Sequence, residues 1–147
     1  MKYFFILCFA LLSFTSWANE KGIGISIGNP TGLNGKYWLD SSRAVDAGMA
    51  WSMGKGQAFS IHSDYLLHKE GAFYFNDIHP LDFYYGVGGR MEFSDEIELG
   101  VRVPFGLAHR FEAESADVFA EIAPIVDLVG RTGLEMHLLF GGRYYFN

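Results

Sequence analysis

Three side chains that could carry acyl-transfer chemistry stand at alternate positions of one short segment: Ser60, His62 and Asp64. A hydroxyl, an imidazole and a carboxylate are the groups that a serine nucleophile, its general base and the residue orienting that base require. Alternate residues share one face of a β-strand, but they lie about 6.6 Å apart, too far for the hydrogen bonds of a triad without a second strand. The pattern therefore favours polar strand residues, and catalysis by these three is kept as an alternative.

Other motifs that might carry chemistry are weaker still. The segment 24–28, Gly-Ile-Ser-Ile-Gly, matches the G-x-S-x-G nucleophile elbow, but that elbow joins a strand to a helix, and here Pro30 follows with no helical pattern. No phosphate-binding loop and no dinucleotide fingerprint is present. The remaining histidines lack the spacing of metal-ligand pairs; they are His68, His79, His109 and His137. We therefore predict no cofactor and no metal site.

The elements that position these residues are predicted to be strands, because apolar and polar residues alternate and the breaks carry turn residues. No convincing helical period and no domain linker interrupts this pattern. Eight alternating runs are counted: Gly22 to Gly28, Leu33 to Leu39, Ala44 to Ser52, Ala58 to His68, Leu81 to Glu92, Ile97 to Ala108, Ala116 to Asp127 and Leu134 to Phe146. Several have the roughly 9 to 11 residues of a tilted membrane strand. An antiparallel up-and-down transmembrane β-barrel of about eight strands follows.

Two connections and two prolines qualify that strand count. Residues 69–80 form the longest predicted connection, and its Phe73-Tyr74-Phe75 indicates a packed or interfacial segment; residues 109–115 form a polar loop. Pro104 and Pro124 fall within predicted strands. Because proline cannot donate to a β-ladder, each should mark an edge, a bulge or a strand end.

The polar faces of the runs decide which side of the barrel faces lipid. They carry many glycines among charged residues, whereas a solvated outer surface would favour Thr, Lys and Glu, so the polar faces are expected to line a narrow lumen. A lumen charge network is predicted from Lys36, Asp46, Asp64, Arg90, Arg102, Glu121 and Arg143. The apolar faces supply the expected lipid-facing aromatic residues: Tyr37, Trp51, Tyr65, Phe83, Tyr85, Phe105, Tyr144 and Phe146.

The N-terminal segment and the charge balance indicate export. Lys2, an apolar run over 3–12 and small residues at Ser16 and Ala18 predict a signal peptide at 1–18, leaving 19–147 as the barrel domain. The only cysteine, Cys8, lies in that segment, so disulfides are not expected in the mature chain. Without Lys2 the chain has ten basic and seventeen acidic residues and no basic cluster, which argues against nucleic-acid binding.

Several motifs resemble those of a family of small Gram-negative outer-membrane β-barrel proteins. The motifs occupy segments 28–39, 84–90, 100–107 and 142–146, and the resemblance extends over nearly the whole mature chain. The penultimate Phe146, preceded on the same face by Tyr144 and Phe140, is similar to the terminal aromatic signal of outer-membrane barrels. A more distant similarity is to the transmembrane barrel of outer-membrane protein A. The resemblance implies an outer-membrane location and recognition of the C-terminal strand by the barrel-assembly machinery.

The function expected from these observations is that of a structural or interaction protein of the outer membrane, without enzymatic activity. A barrel of about eight strands is filled by its own side chains, so no general pore is predicted. Outer-membrane lipids and lipopolysaccharide are the expected partners. Two alternatives stay open. One is a lipid A-modifying enzyme using Ser60, His62 and Asp64, since small outer-membrane barrels include such enzymes, although their motifs are not matched; the other is a soluble periplasmic barrel that binds an apolar ligand.

Overall fold

The chain forms a β-barrel in the computed structural model, which describes residues 20–52, 58–76, 79–111, 113–130 and 132–146. The predicted signal peptide at 1–18 lies outside these ranges. The strands are β1 (Lys21–Asn29), β2 (Thr31–Trp38), β3 (Arg43–Ser52), β4 (Ala58–Phe75), β5 (His79–Phe93), β6 (Ile97–Arg102), β7 (Phe105–Phe111), β8 (Ala116–Val129) and β9 (Gly133–Phe146). Within the described ranges, no helix has the length and hydropathy that a membrane crossing would require.

The nine strands close into a ring of eight positions. All pairings are antiparallel, and consecutive strands lie side by side from β1 to β5. β9 pairs with β1 over nine residues, from Lys21 opposite Phe146 to Asn29 opposite Leu138, which closes the ring. β6 and β7 occupy a single position, because both lie between β5 and β8. The predicted antiparallel up-and-down barrel is thereby confirmed, with one of its eight strands divided in two.

The division between β6 and β7 falls at Val103 and Pro104. Pro104 therefore marks a strand end, as its missing N–H predicts. The sheet stays connected across the break, because Val103 N donates to Pro124 O (3.0 Å) and Gly86 N donates to Pro104 O (3.1 Å). Pro124 itself ends no strand, since β8 continues from Ala116 to Val129; it lies opposite the break, where the ladder is already interrupted.

The prediction of a long connection at 69–80 was wrong. β4 continues to Phe75 and β5 begins at His79, so most of that segment is a hairpin that extends the two strands. β4 pairs with β3 only as far as Leu67, whereas its pairing with β5 continues past a bulge between Lys69 and Phe73. The polar loop predicted at 109–115 is also shorter, because β7 runs to Phe111.

Each end of the barrel has its own set of turns. The terminal end, as we name it, holds Glu20 and Phe146, together with the β2–β3 turn at 39–42, the tip of the β4–β5 hairpin and the β7–β8 turn. The distal end holds the β1–β2, β3–β4, β5–β6 and β8–β9 turns. The interior residues near the terminal end differ in type from those near the distal end.

Candidate functional site

The charged interior of the barrel is the candidate functional site. Because successive side chains of a strand point to opposite faces, every second residue of each strand faces inward. Buried charged side chains in the described part of the chain comprise seven carboxylates and only four bases. The acids are Asp46, Asp64, Asp82, Glu98, Asp117, Glu121 and Asp127, and the bases are Lys36, Arg90, Arg102 and Arg143. The interior thus carries an excess of potential negative charge.

Arg102 organises the middle of the interior. Its side chain is fully buried, and its Nε lies 3.0 Å from Asp64 Oδ2. Its Nη2 donates to Glu121 Oε1, and Tyr84 Oη donates to Glu121 Oε2 at 2.8 Å. Gly106 makes room for the ring of Tyr84, because a Cβ at this position would collide with that ring. One guanidinium therefore compensates two buried carboxylates on strands that are not adjacent, β4 and β8.

A mixed aromatic and charged layer fills the interior near the terminal end. Arg143 Nε lies 3.1 Å from Asp117 Oδ1, and Tyr145 Oη donates to Asp117 Oδ2 at 2.5 Å. The Lys36 ammonium lies 2.7 Å from His68 Nε2 and 4.5 Å from the centroid of the Trp38 ring. A buried apolar cluster completes this layer, with Trp38, Ala44, Leu66, Tyr84, Ala108, Phe119 and Tyr145. These side chains occupy the interior between the barrel walls near the terminal end.

Arg90 stands among carboxylates near the distal end. Its guanidinium lies 2.7 Å from Asp127 Oδ1, 2.8 Å from Glu135 Oε2 and 3.2 Å from Glu92 Oε2. Glu98 lies further away, at 3.9 Å. A cavity of about 400 Å³ opens here, lined in part by Ser60, Glu92, Glu135 and His137. The mouth of the barrel at this end is therefore acidic.

The seven residues of the predicted charge network all lie buried in the interior. Their partners could not be taken from the sequence alone. Arg102 binds both Asp64 and Glu121, whereas Arg143 pairs with Asp117 and Arg90 with Asp127. Asp117 and Asp127 were absent from the predicted network. Their positions on the same face of β8 as Glu121 could have predicted that they face the lumen.

The Ser60, His62 and Asp64 set does not form a catalytic triad in this structure. His62 Nε2 lies 3.9 Å from Asp64 Oδ2, and Asp64 already accepts hydrogen bonds from Arg102. The structure gives no hydrogen bond between Ser60 and His62. Ser26, of the elbow-like motif, is a buried residue inside β1, and β1 leads through Pro30 into another strand rather than a helix.

The outer surface of the barrel is apolar. Among the described residues, thirty-two large hydrophobic side chains are exposed, against eleven hydrophobic residues that are buried. Those on β1, Ile23, Ile25 and Ile27, are each more than half exposed. The eight aromatic residues predicted to face lipid all lie on this outer surface, exposed or half-buried. Apolar side chains point outward and charged side chains inward, the reverse of a water-soluble barrel.

Comparisons with known proteins give matches among solved structures and none in sequence. No protein-family model matches the chain, and no curated protein matches it in sequence. Among solved structures, the chain is similar to the crystal structure of Neisserial surface protein A, at 14% sequence identity and a TM-score of 0.49, covering 87% of this chain and 94% of that chain. These results establish no family, and the family resemblance of the sequence motifs stays a prediction.

Proposed function

We propose that the protein is a structural or interaction β-barrel of the bacterial outer membrane, with a lumen closed by its own side chains. The observation that carries this proposal is the inverted polarity of the barrel. Exposed apolar patches on soluble monomers rarely exceed a few hundred Å², whereas here the exposed hydrophobic residues belong to every strand. Only lipid or a comparable apolar environment would cover such a surface at low cost.

The proposed closed lumen rests on the two inner layers of side chains. Arg102, Asp64 and Glu121 bridge the middle, while the cluster around Trp38 and Tyr84 fills the terminal end. A barrel with eight strand positions has room for side chains and little else. We therefore expect no steady large-conductance channel from purified protein in planar bilayers, and observation of one would contradict the closed lumen.

The orientation and partners follow from the same proposal. With the terminal end in the periplasm, the four distal turns face outward, where the acidic mouth around Glu92 and Glu135 would meet lipopolysaccharide and its bridging cations. The C-terminal strand β9, with Phe140, Tyr144 and Phe146 outward, would present its aromatic face to the assembly machinery.

Membrane fractionation combined with heat-modifiability on SDS gels tests the location and the fold together. Boiled and unboiled samples of the outer-membrane fraction should migrate differently, because an intact barrel resists SDS until it is heated. Protein recovered in the periplasmic fraction, without a shift on boiling, would contradict the proposal. A cell-surface label on a cysteine placed in the β5–β6 turn, for example Ser94→Cys, would then test the orientation.

The two alternatives are disfavoured by specific observations. A soluble barrel that binds an apolar ligand requires an apolar lumen, whereas the described part of this lumen holds eleven buried charged residues and the large exposed hydrophobic residues lie on the outer surface. The lipid A-modifying enzyme requires Ser60, His62 and Asp64 to act together, whereas Asp64 is bound to Arg102. Comparing lipid A by mass spectrometry between the wild type and a His62→Ala strain tests the enzyme directly. Altered lipid A in the His62→Ala strain would support the enzyme alternative.

A further inference from the structure

Asp46 is a buried carboxylate that lacks a partner for one of its oxygens. Its side chain is 7% exposed, and its Oδ1 atom has no hydrogen-bond partner among the described residues. A charge buried without a partner costs several kcal/mol in proteins, so such groups are ordinarily paired, protonated or bound to a metal ion. One oxygen of Asp46 therefore lacks a partner among the described side chains, and either a proton or a cation would satisfy it.

The nearby bases form no ion pair with Asp46 among the described residues. Lys36 is the direct cross-strand neighbour of Asp46, but its ammonium is turned to His68 and the Trp38 ring. Arg102 binds Asp64 and Glu121 through Nε and Nη2, while its buried Nη1 has no hydrogen-bond partner in the described structure; Arg143 is held by Asp117. With seven buried acids against four buried bases, the interior has too few cations of its own. An additional positive charge would therefore balance the buried carboxylates.

Asp46 lies beside two further groups that bind cations. Asp64 is its direct partner across β3 and β4, and His62 stands two residues before Asp64 on the same face. One ligand atom from each of Asp46, His62 and Asp64 can be chosen so that all three lie within 4.8 Å of one another. Two carboxylate oxygens and an imidazole nitrogen form a donor set suited to a divalent transition-metal ion.

Gly48 and Asn34, which lie beside this cluster, are also compatible with a bound metal ion. Gly48 lies opposite His62, and a Cβ there would collide with the imidazole, so the glycine lets the ring lie close to β3 beside Asp46. Asn34 lies opposite Gly48 on the other side, and neither its Oδ1 nor its Nδ2 has a hydrogen-bond partner in the described structure. An amide oxygen and bound water could complete the coordination of an ion held by the three residues.

We propose that the barrel interior binds one divalent transition-metal ion through Asp46, His62 and Asp64. Asp64 can serve both the ion and Arg102, because each carboxylate oxygen carries two lone pairs. The acidic cavity at the distal end provides the entry path, since Ser60 lines that cavity and stands two residues from His62 on β4. The site is separate from the structural role proposed above and does not require enzymatic activity.

Zinc binding by the whole refolded barrel in detergent, after removal of metals with EDTA, tests this site. Calorimetric titration with Zn²⁺ should give one site per chain. Asp46→Asn and His62→Gln should each weaken that site by about a hundredfold or more, because the loss of a ligand costs more than the 10–100-fold typical of outer-shell partners. His68→Gln is the matched control, since His68 is also buried on β4 but lies near the terminal end against Lys36; its affinity should equal that of the wild type.

Heat-modifiability of every variant establishes that the barrel is folded before its affinity is compared. Where Asp46→Asn does not fold, the imidazole resonances of the wild type decide the matter, because Zn²⁺ must then shift the resonances of His62. Absence of saturable binding would overturn the proposal and leave a proton as the occupant of the Asp46 and Asp64 pair. Binding that persists in His62→Gln, or that shifts only other histidines, would also overturn it.

Discussion

Arg102 shows how a single residue controls the interior of this barrel. Its guanidinium is fully enclosed and is held by Asp64 on β4 and Glu121 on β8, so it joins walls that are not adjacent in the sheet. A buried ion pair adds little net stability over an apolar pair, but removing one partner leaves the others uncompensated. The effect of Arg102 on the stability of the barrel should therefore be largest when Arg102 is removed and its two partners stay buried.

We expect Arg102→Met to destabilise the barrel by about 3–5 kcal/mol, because two buried carboxylates lose their counter-ion. Arg110→Met is the matched control. Arg110 is partly exposed and lies 3.8 Å from Asp82, so its loss should cost about 1 kcal/mol or less. Urea unfolding in lipid vesicles, followed by gel mobility, measures both, and similar losses for the two variants would contradict a central role for Arg102.

Asp40, in the turn between β2 and β3, provides a pH-dependent element at the terminal end. Its pKa is lowered to about 2, first because the backbone N–H of Ser42 donates to the carboxylate and then because the Arg43 side chain does. Since the pKa is lower in the folded chain than the ordinary value of about 3.9, the turn is stabilised above that value and loses this stabilisation as the pH falls through about 2.

A carboxyl NMR titration of the barrel in detergent checks this expectation. The Asp40 resonance should titrate with a midpoint near 2, whereas Ser42→Pro, which removes the first donor, should move the midpoint upward. An Asp40 midpoint near 4 in the wild type would contradict the hydrogen bonds described for this turn.

At the level of elements, alternation predicted where strands lie better than where they end. The bounds of β1, β3 and β9 differ from the predicted runs by only one residue at each affected end. The segment 69–80 was predicted as a connection because its strands pair with each other at the tip of a hairpin. Alternation along the sequence does not reveal such a pairing. Pro104 predicted an interruption at the β6–β7 break, because proline lacks the N–H that a β-ladder needs and this property is visible in the sequence.

The β4–β5 hairpin extension should be dispensable for the barrel. β3 ends its pairing with β4 at Leu67, and β7 ends its pairing with β5 at Asp82. Beyond these points His109 on β7 still contacts the hairpin, with its Nδ1 2.8 Å from Pro80 O and its ring against that of His79. Replacing residues 72–80 with Asn-Gly joins Gly71 to Leu81 through a two-residue turn, the favoured length for a hairpin. We expect the shortened protein to keep its shift on boiling and its urea midpoint.

The control for that deletion removes pairing inside the ring. Tyr65→Pro takes a backbone donor from the middle of β4, between β3 and β5, and should abolish the shift on boiling. Loss of folding in the shortened protein as well would show that the hairpin is part of the barrel's stability. Retention of folding would leave Phe73 and Tyr74, both more than half exposed, free to serve at the membrane interface.

For the whole molecule, the decisive property is which face of the sheet meets water. The sequence indicated it through glycines and charges sharing one face of each strand, because only a narrow lumen favours that combination. The charge pairs could not be obtained in the same way. A pair such as Arg90 with Asp127 joins β5 to β8 across the interior, and its partners depend on barrel closure rather than on any local pattern.

Depth-dependent substitution distinguishes a membrane barrel from a soluble one. Ile25, in the middle of β1, and Leu128, near the distal end of β8, are 56% and 60% exposed. Lipid would make Ile25→Arg cost about 2–4 kcal/mol and Leu128→Arg about 0–1 kcal/mol, because a charge is most costly at the bilayer midplane. In water, residues of equal exposure should tolerate arginine equally. Urea unfolding of both variants in vesicles measures the difference, and equal effects would contradict insertion of the barrel across the membrane.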